Sequence, residues 1–481
     1  MNPFQTRTQA TPAGRPSRHA LQSAWVLPLV RTGDRVEDPV RTPQALAKSL
    51  PAGGPRRLVF AAPTSECRNL QEFIQTRSAK RRLTTTTDAG AVEQAPAAAV
   101  LGQPLPPRLV LKDTSIARVL RTADTRVRAE FTRTTIHAGT DSRTLCRLSL
   151  ELLAGSPADF ASLAGRLAHR FGLWLDPRPV RSIARAVQRG ANGLPPVFAA
   201  PVALGRRTRP SVALGCMAGN CLEQILPNLA EIAAGSSVAE HVHQARVGVR
   251  RLRAMLRVFG AWAPDVDPAW EIALAALFRR LGEQRDRDVL MKAMLPAIQA
   301  AGGPPIRLPA VRRQHVSVAD VAGGQTTVAA LIPLQVFAWT HASGLSEAAA
   351  DEAGNLRALA EAPLKRLHAR IRRDAIRFMK LSDAERHKLR KRVKRLRYCV
   401  ELAADLFPKA AINRFLGALL PVQTAIGGYV DLLVAESALA ASAQEDPGAA
   451  FALGWIAARR PILLEGAAKA LKRFAAVKPH W

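Results

Sequence analysis

The chain has 481 residues, 69 Lys and Arg against 38 Asp and Glu, and a formal charge of +31. With 48% hydrophobic residues it has ample material for real cores, which excludes wholesale disorder, and the charge points to a polyanion: nucleic acid, an anionic membrane surface or a phosphate polymer. No run of 18 or more apolar residues occurs and the first 24 residues lack an apolar secretory core, so a soluble cytoplasmic protein without a transmembrane segment is expected.

Cys67, Cys146, Cys216, Cys221 and Cys399 are scattered, odd in number and form no C-x-x-C pair, which predicts reduced, mostly buried thiols and neither a disulfide framework nor a zinc site. Of the basic residues 56 are Arg and 13 Lys, a ratio suited to bidentate phosphate contacts.

Residues 1–55 are rich in Pro, Arg and Thr and read as a poorly ordered basic arm with one strand at Ala24 to Leu29. Residues 95–107 read as a loop. Period-two alternation predicts strands over Arg126 to Ile136, with Val127, Ala129 and Phe131 on one face, and over Arg143 to Leu152, with Cys146, Leu148, Leu150 and Leu152. A helix follows, capped by Ser156 with Pro157 at its first position and Phe160, Leu163, Ala164 and Leu167 as its apolar stripe. From about residue 210 the period changes to 3.6, interrupted chiefly by a Gly/Pro-rich stretch at 301–326. The domains read as 1–55, an α+β domain at 56–195, a linker at 196–209 and an all-helical domain at 210–481 with halves at about 210–300 and 345–481.

The helical part contains a repeat. His243-Gln-Ala-Arg246-Val-Gly-Val-Arg250-Arg251-Leu-Arg253 is matched 144 residues later by His387-Lys-Leu-Arg390-Lys-Arg-Val-Lys394-Arg395-Leu-Arg397. Leu281-Gly282 with Asp286 is likewise matched by Ile426-Gly427 with Asp431. On a helix, His243, Arg246, Arg250, Arg253 and Arg257 share an arc of roughly 80°, opposed by Leu252, Met255, Leu256 and Phe259. The second copy repeats the arc with His387, Arg390, Lys394 and Arg397, backed by Leu389, Val393, Leu396 and Val400.

Like charges one turn apart repel by a few tenths of a kcal/mol per pair, so eight basic residues and no acid between Arg386 and Arg397 call for a bridging anion. A further helix, Pro363 to Lys380, carries Arg366, Arg370, Arg373 and Arg377 at the same spacing. His243 and His387 at the ridge ends are expected to protonate when an anion binds. Asp286 and Asp431 are expected to orient ridge arginines; Asp286 and Asp288, two residues apart, do not share a helix face and so do not read as a metal pair.

The duplicated H-x-x-R-x-x-x-(R/K)-R-L-R helix, the G-x-x-x-D segment, Lys394-Arg-Leu-Arg-Tyr398 and the closing Leu471-Lys-Arg-Phe and Lys478-Pro-His-Trp481 resemble the CHAD domain over about 210–481. That resemblance implies two pseudo-symmetric helical bundles whose ridges face a shared groove, binding inorganic polyphosphate at polyphosphate granules with no cofactor. The residues implied in binding are His243, Arg246, Arg250, Arg251, Arg253 and Arg257; Arg366, Arg370, Arg373 and Arg377; His387, Arg390, Lys391, Lys394, Arg395 and Arg397; and Lys472.

Leu148-Ser-Leu-Glu151, Gly155-Ser-Pro157 and Arg181-Ser182-Ile183 resemble the end of a CYTH domain, a triphosphate tunnel. The E-x-E-x-K signature is absent, Ser149 stands where a paired acid belongs and Ile183 takes the lysine position, so the first domain reads as a degenerate, incomplete β-tunnel without catalysis or a metal. Nucleic acid is the alternative partner, disfavoured by the scarcity of aromatics at the ridges, and a metal-dependent triphosphatase is the third reading.

Overall fold

A computed structural model describes residues 56–75, 109–122, 124–205, 207–282, 294–306, 316–343 and 355–479, and the backbone of 82–88. The basic arm and its strand, the loop at 95–107, Asp286 and Asp288 lie outside the described residues.

The first part runs β1 (Arg57–Ala62), α1 (Cys67–Gln75), β2 (Arg82–Asp88), β3 (Leu109–Thr122), β4 (Thr125–Ala138), β5 (Asp141–Ala154), α2 (Pro157–Arg170), β6 (Trp174–Leu175) and α3 (Val180–Gln188). The strands form one antiparallel sheet in the order β2-β3-β4-β5-β1-β6. The alternation in β4 and β5 sets their register: Val127, Ala129 and Phe131 lie opposite Leu152, Leu150 and Leu148, and all six are buried. β3 escapes sequence reading because only Leu109, Leu111 and Ile116 of its fourteen residues are buried, too few for a visible alternation.

After β5 the chain turns at Gly155, whose φ of +99° and whose position, where a Cβ would stand 2.5 Å from the Thr125 Cα, exclude a side chain. Ser156 then caps α2, accepting from the Ala158 and Asp159 amides. The thiol expectation is corrected at one pair: the fold brings the first residue of α1 over β5, 5.7 Å between Cα atoms, and Cys67 and Cys146 form a disulfide across 79 residues. Sequence spacing carries no sign of such a long-range pairing. Among the described residues Cys216, Cys221 and Cys399 are free.

The second part comprises α4 (Pro210–Ala233), α5 (Ala239–Phe259), α6 (Pro268–Arg280), α7 (Leu295–Ala300), α8 (Val318–Gly323), α9 (Gln325–Ala342), α10 (Leu356–Ile376), α11 (Asp383–Leu402), α12 (Lys409–Leu439) and α13 (Pro447–Ala475). α4 is buried on nearly every side and forms the hub for α5, α8 and α9. The helix expected from Pro363 starts earlier, capped by Asn355 through the Ala358 amide. Pro363 inside it removes the bond to the Leu359 carbonyl, and Leu359 lies on an exposed face of the helix.

Sheet and helices share one continuous apolar core. Phe160 of α2 meets Trp339 of α9 edge-on at 6.1 Å. A buried ionic joint lies beside it. Arg178 donates to both oxygens of Asp176 at 2.7 and 2.8 Å and to Glu231 of α4 at 2.9 Å, while Glu231 also accepts the Leu194 amide. Such a pair costs most when one partner is removed.

His368 of α10 packs between Phe415 of α12 and Phe474 of α13, and burial, with Arg372 nearby, lowers its pKa to about 4. Above pH 6.5 it is neutral folded or unfolded; as pH falls from 6.5 towards 4 only the unfolded chain takes up the proton, so stability is lost in that window. We predict that His368→Leu flattens the fall in melting temperature between about pH 6.5 and 4.5 seen by calorimetry; an unchanged slope contradicts this.

Candidate functional site

α11 shows how a stretch so basic still forms a helix. Ser382 and Glu385 make a reciprocal capping box, and Asp383 and Glu385 occupy the first turn, where negative charge suits the helix dipole. All its acids before residue 400 therefore lie at the N-terminus, and Arg386 to Arg397 follow without one. Leu389, Val393, Leu396 and Val400 are buried as expected. In α5, Leu252, Met255, Leu256 and Phe259 are buried in the same way.

These buried faces turn both ridges into a single trough of about 2180 Å³. α5 contributes His243, Arg246, Arg250, Arg253 and Arg257, and α11 contributes His387, Arg390, Lys391, Lys394, Arg395 and Arg397. Arg279 and Arg280 at the end of α6 join them. The floor along α12, with Leu416, Leu420, Thr424 and Gly427, carries no cation. Among the described lining residues, and leaving out the buried Arg251, eleven Lys and Arg face two acids, Glu401 and Asp431.

The cations are held in fixed positions. Arg246, Arg250 and Arg253 surround the Phe278 ring with their guanidinium carbons 4.6, 4.8 and 5.9 Å from its centre. Arg246 also donates to the Gly282 carbonyl at 3.1 Å. A Cβ on Gly282 would stand 3.0 Å from that guanidinium, which accounts for the glycine of the first copy. Glu271 of α6 bridges Arg253 and Arg257 at 2.7 and 2.5 Å. In the second copy Arg390 donates to Asp431 at 3.0 Å, the orienting role expected of that acid, and Arg397 donates to Glu401 and Gln423.

The two ridges meet at Arg395, whose pKa is lowered by burial and by Arg257, Arg392 and Arg253. His387 is held below the usual imidazole value by burial and then by Lys391, Arg390 and Lys394. An unliganded His387 therefore resists protonation, and an anion that neutralises its neighbours reverses the effect.

Not every implied residue reaches this site. Arg251 borders it but is 2% exposed, and its guanidinium donates to Gln224 and Asn220 of α4 at 2.9 Å each. It falls outside the ridge arc and fastens α5 to the hub. Arg366, Arg370, Arg373 and Arg377 do not line the trough, because the buried stripe of α10 turns them to another face, and neither does exposed Lys472 on α13. Conversely, Phe278, Arg279, Arg280 and Glu271 escape sequence reading; the one local signal was Phe278-Arg-Arg directly before the repeated Leu281-Gly282. Among the described residues no three His, Cys, Asp or Glu side chains converge to hold a metal ion.

Residues 216–440 match the family model of the CHAD domain. Among solved structures, the crystal structure of the CHAD domain from the plant Ricinus communis is similar at 29% sequence identity, covering 60% of this chain and 99% of that chain with a TM-score of 0.46. No curated protein matches.

Removing Arg251 leaves the buried Gln224 and the half-buried Asn220 amides without their charged donor. We predict that Arg251→Ala costs about 2–4 kcal/mol in urea unfolding, whereas Arg250→Gln, one residue away on the ridge, costs less than about 1 kcal/mol. Equal costs would contradict this division of roles.

Proposed function

Residues 216–440 are a CHAD domain, and from that premise we propose that the chain binds inorganic polyphosphate along the trough, without catalysis, and associates through it with polyphosphate granules. The observation that carries this reading is the convergence of both basic ridges on one trough, with eleven Lys and Arg besides the buried Arg251 against two acids among its described lining residues. A linear phosphate polymer can lie between the walls and present an oxygen to every turn of each helix. Release of its condensed counterions then supplies much of the affinity. The acids present are engaged with arginines rather than left to hold a divalent ion: Glu271 with Arg253 and Arg257, Glu401 with Arg397, Asp431 with Arg390.

The same proposal takes the antiparallel sheet as a CYTH-like remnant without chemistry of its own. Ser149 stands on β5 where a metal-holding acid is expected from the resemblance, is 6% exposed and accepts from Arg57. The paired helical halves, with α5 and α11 as equivalent ridges, belong to this reading too.

Long-chain polyphosphate, duplex DNA and RNA competing at matched phosphate concentration and physiological salt test it. Polyphosphate is expected to displace both nucleic acids, and DNA displacing polyphosphate at equal phosphate would overturn the proposal. Arg250→Glu with Lys394→Glu is expected to weaken trough binding on the order of 100-fold or more, with helical circular dichroism unchanged.

The low pKa of His387 sets the sign of the pH dependence. An anion that neutralises Lys391, Arg390 and Lys394 raises that pKa, so the complex takes up a proton and affinity rises as pH falls through the imidazole range. His387→Gln is expected to flatten this profile in calorimetric titrations, and an unaltered profile would remove the histidine from the account.

A further inference from the structure

The α10 arginines form a site of their own. The helix buries Leu364, Leu367, His368 and Ile371, so at 100° per residue its outward midline runs through Ala362, Ala369 and Ile376. Arg366, Arg370, Arg373 and Arg377 stand on one side of that midline, and Lys365 and Arg372 on the other. Between these rows lies a groove of about 560 Å³, lined by Arg366, Ala369, Arg370, Arg372, Arg373 and Ile376. Ala369 floors it, arginines wall it on both sides, and Ile376, 86% exposed, closes one end.

Among the described residues none of Arg366, Arg370, Arg372 and Arg373 is ion-paired. The acids of α10 are committed elsewhere: Glu361 to Lys365, and Asp374 to Arg377 and to Arg392 of α11. From Arg366 to Arg373 the unpaired arginines span about 10 Å of helix. Four arginines without an ion-pair partner, strung along one helix face with Arg372 opposite the other three, fit a single linear polyanion lying along the axis; a duplex is broader than the groove, and a flat bilayer does not reach its floor.

The groove and the trough share no lining residue. Arg392, which α10 holds through Asp374, lies about 180° around α11 from the ridge of Arg390 and Lys394. The two cationic surfaces thus occupy opposite flanks of α11.

We propose that the α10 groove is a second polyphosphate site, so that one molecule holds two chain segments and cross-links polyphosphate; the identity of the ligand rests on the trough reading, the existence of the site does not. Each molecule bound to two long chains is a junction, and junctions multiply along a polymer by effective concentration alone. The protein would then organise polyphosphate as well as attach to it.

The test uses the full chain, calorimetry with short-chain polyphosphate and light scattering with long-chain polyphosphate at physiological salt, with circular dichroism to confirm folding. The wild type is expected to bind two short chains per molecule and to turn long-chain polyphosphate turbid. Arg370→Glu with Arg373→Glu, and separately Arg250→Glu with Lys394→Glu, are each expected to bind one and to lose the turbidity. A groove variant that still binds two chains, or still cross-links, overturns the second site and leaves the trough reading standing. A trough variant that keeps both chains overturns the trough reading instead, while a drop to one chain in the groove variant still supports the groove.

Discussion

Mutual repulsion among the trough cations is the constraint around which the helical part is organised. Burial, and then Arg257, Arg392 and Arg253 beside it, disfavour the charged form of Arg395. What holds the ridges together is the apolar side of the same helices: Leu252, Met255, Leu256 and Phe259 of α5 and Leu389, Val393, Leu396 and Val400 of α11 belong to one core. Fully burying such a side chain is worth about 1.5–3 kcal/mol, against a few tenths of a kcal/mol lost per repelling pair one turn apart. Apolar packing therefore wins by a wide margin, and the free protein carries an unspent attraction for anions.

The repeat is less symmetric in structure than in sequence. Both copies supply a ridge helix, but they position its arginines by different means. The first copy uses the Phe278 ring, the Gly282 carbonyl and Glu271, and its Leu281-Gly282 lies just beyond the end of α6. In the second copy Ile426-Gly427 lies inside the 31-residue helix α12, a Cβ on Gly427 would meet nothing, and Asp431 and Gln423 hold the arginines from the same helix. One wall is set by an aromatic ring and the other by polar side chains. Both orient guanidinium groups into the trough before any ligand arrives, which lowers the ordering entropy that binding must offset.

Much of this was legible in the sequence, for a physical reason. A helix face is a local property, so the spacing of Arg246, Arg250 and Arg253, or of Arg390, Lys394 and Arg397, specifies a ridge without knowledge of the fold. The strands β4 and β5 were legible for the same reason. The acids that tame the ridges were mostly not: Glu271 lies 18 residues from Arg253 on another helix, and only Asp431, in register with the repeat, gave a signal. The α10 row shows the limit of local reasoning. Its spacing is that of a ridge, yet His368, seated between Phe415 and Phe474, fixes which way the helix faces and sends the arginines away from the trough. The Cys67–Cys146 pair likewise depends on long-range contact that no spacing announces.

The central claim is that one phosphate chain engages both ridges at once. A crystal structure of the chain with polyphosphate tests it most directly. The account predicts continuous phosphate density between α5 and α11, with oxygens in hydrogen-bond reach of Arg250 and of Lys394 on the same chain. Phosphate density against one ridge alone, or an empty trough with polyphosphate bound elsewhere, would contradict it.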